Sequence, residues 1–109
     1  NIFKREDDYN MDMKRMMMEA QKMQKELLKI QEDLSKTVYD GESSMVKVKV
    51  NGDSEVLSVK FDLDEDFEKD DIEMLEDMVV VAINDAVSKA KADKENKLGK
   101  YGNGLSGLM

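Results

Sequence analysis

A chain of 109 residues has room for one domain with a modest core. It contains neither cysteine nor histidine, which excludes disulfide frameworks, thiolate metal sites and histidine acid–base chemistry. The net charge of −8 at pH 7 argues against a polyanionic partner only until its position is considered. Residues 62–77 hold ten acids against the single base Lys69, a local −9, so everything else sums to +1. The molecule is an acidic middle joined to two mildly basic arms.

The opening Asn1–Asp8 has no apolar core and does not read as a signal peptide. Residues 1–11 are set apart as an N-terminal extension, native or vector-derived, outside the fold argument. No apolar run approaches the roughly 20 residues of a membrane span, so no membrane partner is expected.

Residues 12–36 carry Met13, Met16, Ala20, Met23, Leu27, Ile30 and Leu34 at spacings of 3 and 4, a heptad seam between Lys, Glu and Gln. That pattern predicts a long helix ending near Thr37, where β-branched and aromatic residues take over. Three strands follow. Thr37–Asp40 reads as the first, with a turn at Gly41-Glu42-Ser43-Ser44. Met45–Val50 alternates apolar and charged residues, the mark of a half-buried strand. Asn51-Gly52 signals a tight hairpin through residues that tolerate positive φ. Glu55–Phe61 returns as the third strand, with Leu57 opposite Val46 or Val48 and Val56 alone on the polar side.

The acidic stretch 62–71 reads as a loop with one helical turn at Leu63–Phe67. Asp70 or Asp71 caps a second helix, with Glu73 completing a capping box behind Asp70. Ile72, Leu75, Val79, Ala82, Ile83, Ala86 and Ala90 form its inner face. Met78, Val80, Val81 and Val87 make its middle apolar nearly all round. The Gly-rich tail, 99–109, reads as flexible.

The expected fold is α+β: α-β-β-β-α, a three-stranded antiparallel meander with two long helices. Such a domain leaves the first helix's seam and the second side of the other helix uncovered, which argues for a two-fold homodimer. Met16, Met23, Leu27, Ile30, Val79 and Ile83 are the expected packing and dimer seam.

No catalytic constellation is present, and no enzyme activity, cofactor, metal or small-molecule substrate is expected. Asp62, Asp64, Asp66 and Glu73 occupy the spacing of a calcium loop, but Phe67 stands where that loop requires glycine. The methionines at heptad spacing read as adaptable packing rather than thioether metal ligands. Bases concentrate at Lys14, Arg15, Lys22, Lys25, Lys29 and Lys36, and at Lys89, Lys91, Lys94, Lys97 and Lys100. If the helices pack side by side, Lys14, Arg15, Lys94, Lys97 and Lys100 meet at one distal tip.

Three blocks carry a family resemblance over about residues 13–98: the helix Met16–Gln24, the hairpin Met45–Gly52 and the stretch Asp71–Ala86. With these the chain, chiefly as a domain over 12–98, resembles the YbaB/EbfC nucleoid-associated DNA-binding proteins of bacteria. The resemblance implies a small cytoplasmic homodimer on the nucleoid, gripping double-stranded DNA like a tweezer through its helical arms. Phosphate contacts are then expected from Lys14, Arg15, Lys22, Lys25, Lys89, Lys94, Lys97 and Lys100. The first ten residues depart from the short Gly-rich start usual in that family. The alternative is a protein-interaction scaffold whose Met seam holds a partner helix.

Overall fold

The computed structural model describes the backbone from residue 2 to residue 101 and the side chains from Met11 to Tyr101. The elements are α1 (Ile2–Lys36), β1 (Val38–Ser43), β2 (Val46–Asn51), β3 (Val56–Phe61) and α2 (Ile72–Leu98). Short 3-10 turns at Lys69–Asp71 and Gly99–Tyr101 flank α2. The sheet is antiparallel with the order β1-β2-β3, so the expected architecture is the observed one. By contacts the chain divides into a first unit, residues 1–31, and a second unit, residues 32–109.

The first unit is helix throughout its described length, and α1 begins at Ile2, well ahead of the expected start. Its seam residues Met13, Met16, Ala20 and Met23 are exposed, while Leu27 and Ile30 are half-buried.

In the second unit α2 lies across β1 and β2. Val46, Val48 and Val50 meet Ala82, Ala86 and Ala90 in the core, with Tyr39, Leu75, Met78, Val79, Ile83 and Val87 packed around them. The alanines let the helix approach the sheet closely. A Cβ on Gly41 would fall against the Ala82 carbonyl and the Ala86 backbone. Gly41 is therefore a strand residue under the helix, not a turn residue, and β1 runs on to Ser43. The turn is Ser44-Met45, where Ser44 takes the left-handed conformation at φ 47°. Met45 is buried there, its carbonyl accepting from Asp62 N at 2.8 Å.

The second hairpin corrects the expected register. Val46 pairs with Phe61, and Val48 with Val59; a bulge at Lys49/Val50 then sets Val50 opposite Val56. Leu57 is thus opposite neither Val46 nor Val48, and Val56 pairs on the apolar side. The apolar faces still coincide, because the slip from the expected pairing is an even number of residues. The cause is a longer turn. Asn51 Oδ1 accepts from Asp53 N and Glu55 N at 2.9 and 3.0 Å, and Asn51 N donates to Glu55 O. Here Ser54, at φ 64°, takes the left-handed conformation. Gly52 serves close approach instead: its N–H donates to Leu34 O at 3.0 Å, and a Cβ would strike that same carbonyl. The turn thereby gives Leu34 O a second donor beside Thr37 N, which lies 3.1 Å from it at the end of α1.

The N-cap of α2 is Asp71, one of the two expected, but its side chain caps nothing in α2 and the capping box belongs to the preceding turn. Asp71 Oδ2 accepts from Glu68 N at 3.0 Å, so the box closes from Asp71 to Glu68 rather than from Glu73 to Asp70. The expected turn at Leu63–Phe67 is a tight turn in which Phe67 N donates to Asp64 O. Leu98 is buried and Gly99–Tyr101 is ordered as a 3-10 turn, so the expected flexible tail does not begin at Gly99; residues 102–109 lie outside the described residues. Among the described residues no three carboxylates gather as a metal site, and no described helix is long and apolar enough to cross a membrane.

Candidate nucleic-acid interface

On α1 the helical period separates charge from apolar surface. Lys14, Lys25 and Lys29 fall on the side opposite the Met16–Met23–Leu27–Ile30 seam, Arg15 and Lys22 on its flank, and all five are exposed. Arg15, Lys22 and Lys29 recur every seven residues, forming one column; Met11, Met18 and Lys25 form a second column beside it. Met11, Lys14, Arg15, Met18, Glu19 and Lys22 line one open, shallow surface.

The second unit uses its bases differently. Lys89 Nζ donates to Asp40 O at 2.8 Å and lies 3.5 Å from Asp85 Oδ2. Asp85 in turn accepts from Glu42 N at 3.1 Å. This pair covers the outer edge of β1, which a free strand edge would otherwise leave open. Lys97 lies 3.0 Å from Asp93, whose Oδ2 also accepts the Tyr39 hydroxyl at 2.5 Å. Burial and that carboxylate push the Tyr39 hydroxyl up to about 12, while the Tyr39 and Lys97 hydrogen bonds hold Asp93 below its ordinary value. Lys100 sits over the Tyr101 ring, 5.1 Å from its centroid. Lys94 is half-buried and takes part in no ion pair among the described residues.

The sequence-derived set therefore falls into two groups. Lys14, Arg15, Lys22 and Lys25 come together on one helix face. Lys89 and Lys97 already hold acidic neighbours, and Lys94 and Lys100 lie near the end of α2. Within the expected seam, Val79 and Ile83 pack on the sheet, whereas Met16 and Met23 remain exposed.

A model of the YbaB/EbfC DNA-binding family matches residues 10–105. The chain belongs to that family. A nucleoid-associated protein of Ligilactobacillus salivarius is 37% identical over 100 residues, covering 90% of this chain and 95% of its own. One from Legionella pneumophila is 40% identical over 101 residues, covering 91% and 88%. The crystal structure of an uncharacterized protein from Helicobacter pylori, 25% identical, superposes with a TM-score of 0.59 over 71% of this chain and 82% of that one. Family membership gives the chain a DNA-binding context that composition alone did not supply.

The number of bases on α1 does not reveal this face. Their seven-residue recurrence aligns them, but Asp12, Glu19, Glu26 and Asp33 recur at the same interval beside Arg15, Lys22 and Lys29, which leaves Lys14 and Lys25 as the bases with no acid three or four residues away.

Proposed function

We propose that the chain binds double-stranded DNA as a homodimer, without catalysis, holding phosphates with the basic face of α1. The segregation on α1 carries this reading. A helix with an apolar seam on one side and bases away from it, Lys14 and Lys25 clear of the acids Asp12, Glu19, Glu26 and Asp33, can join a second chain and still offer charge. Lys94 and Lys100 add contacts from the second unit; Lys89 and Lys97 contribute less, because adjacent aspartates offset their charge, and Arg15 and Lys22, each within one helical turn of Glu19, contribute less than Lys14 and Lys25. Phosphate contacts of this kind position a protein without reading sequence. A place on the nucleoid, in the cytoplasm, follows from the same reading.

Dimerisation is supported by uncovered apolar surface in each unit. Met13, Met16 and Met23 are exposed in the first. In the second, Val59 and Phe61 share the buried face of β2 yet stand 39% and 51% exposed, because α2 stops short of β3. Val80 and Val81 are exposed on α2 itself.

Anisotropy titration of a DNA duplex at two salt concentrations, with mass measured by light scattering, tests the proposal. The substitutions K14Q, R15Q, K22Q and K25Q together should weaken binding and reduce the salt slope by about 0.9 for each phosphate no longer neutralised. An unchanged slope would overturn the α1 assignment, and a monomeric mass at full affinity would overturn the dimer.

The exposed seam equally fits a helix from another protein, which makes an interaction scaffold the second reading. A stoichiometric protein partner retained after nuclease treatment, with no affinity for duplex DNA, would favour it.

A further inference from the structure

Three methionines of α1, Met11, Met17 and Met18, lie off the seam, and two of them stand among the bases. Met11 and Met18 are 64% and 69% exposed and point away from Met16 and Met23. They stand beside Lys14, Arg15, Lys22 and Lys25, and share one open surface with three of these and with Glu19 at its rim. A second chain docked on the seam would leave both in water. An apolar side chain in the middle of a cationic face is explained if what approaches that face offers phosphate at its edges and apolar groups between them.

Duplex DNA does so in the major groove. The groove is wide enough to admit an α-helix, and every A·T pair places a thymine C5-methyl group on its floor. Met11 and Met18 are two helical turns apart, roughly 10 Å along the axis. Bases alongside would rest on the flanking phosphates while the thioethers, flexible and polarizable, meet the groove floor. We propose that Met11 and Met18 contact thymine methyl groups, giving the α1 face a preference for A·T-rich DNA beyond phosphate binding. The proposal rests on the DNA-binding reading above and adds the element that phosphate contacts cannot supply.

The test replaces thymine by uracil, which removes the methyl group and leaves the charge and the pairing. Anisotropy titrations would compare an A·T-rich duplex with the same duplex containing deoxyuridine, using the wild-type chain and M11Q/M18Q. Glutamine keeps length and helix propensity and removes the apolar end. Wild type should bind the uracil duplex about fourfold more weakly for each methyl contacted, with the salt slope the same on both duplexes. In M11Q/M18Q the difference between the duplexes should vanish. Equal wild-type binding to both duplexes overturns the methyl contact while leaving DNA binding intact. An undiminished difference in M11Q/M18Q overturns the assignment to these two residues. Absence of binding to either duplex overturns the DNA reading with it. Capture by phosphatidylglycerol vesicles that M11Q/M18Q abolishes, with both duplexes bound alike, overturns the proposal in favour of a lipid surface.

Discussion

The two units use the same apolar periodicity to different ends. On α1 the seam residues Met13, Met16 and Met23 are 46%, 68% and 49% exposed; on α2 the corresponding stripe, Ala82, Ala86 and Ala90, is at most 1% exposed. Side-chain size accounts for much of the difference. Alanines opposite Gly41 let a helix sit directly on a sheet, where many small contacts add up. Methionines are long and adaptable, and suit a surface that must fit something arriving from elsewhere. A 3-4 spacing therefore says that a face will be covered, and residue size says how closely.

The largest expected effect breaks the close packing on the body side. Gly41→Val should cost about 3 kcal/mol by forcing α2 off β1, lowering the melting temperature by more than roughly 10 °C. Calorimetry checks it, and a variant melting with wild type would show that α2 does not rest on Gly41.

Next in size is a contrast within one sheet face. Val48 and its cross-strand partner Val59 point to the same side, one under α2 and one beyond it. Val48→Ala should lose about 2 kcal/mol at any protein concentration. Val59→Ala should lose about 1 kcal/mol or less, and its melting temperature should depend on concentration if the proposed second chain provides the cover. Equal, concentration-independent losses would mean that β3 is covered within the chain.

A smaller effect, about 1 kcal/mol, is expected from the Tyr39–Asp93 hydrogen bond. Tyr39 titrates near 12 against an ordinary 10.0, so folding favours the neutral hydroxyl. Its contribution is complete below pH 10 and is lost as pH climbs from 10 towards 12. Asp93 is shifted the other way, below 3.8; its contribution holds above that pH and fades as the solution becomes more acidic. Urea midpoints followed against pH should show Tyr39→Phe flattening the alkaline limb. A wild-type alkaline limb retained by that variant would assign it to other groups.

The smallest change is expected at the exposed pair Glu32–Lys36, 3.2 Å apart. Lys36→Gln should move stability by less than about 0.5 kcal/mol. A larger loss in a denaturant titration would give the end of α1 more weight than its exposure suggests.

Much of the fold is legible in the sequence because it is local. The seam specifies a helix ending near Thr37, and alternation in Met45–Val50 specifies which side of β2 is buried; Val46, Val48 and Val50 are there. Asn51-Gly52 marks the hairpin, although neither residue acts as the motif suggests. Asn51 works through its side-chain oxygen, and Gly52 makes room for Leu34. Those roles depend on where the end of α1 meets the turn, an approach between segments well apart in the chain that no local pattern carries. The basic residues are legible one by one, but not their division into an open face on α1 and an edge-covering set on α2. Lys89 and Lys97 read alike in sequence, and only packing shows them against Asp40, Asp85 and Asp93.

By itself the sequence determined element type, chain order, the buried parity of the strands and the separation of charge from seam on α1. Each is set by side chains within a few residues of one another, where helix and strand periods operate. Tertiary structure alone decided the strand register, the closeness of α2 to β1 and the strand that α2 leaves uncovered. These depend on volumes meeting across the chain: a missing Cβ at Gly41, small side chains at Ala82 and Ala86, and a helix that reaches β2 and stops.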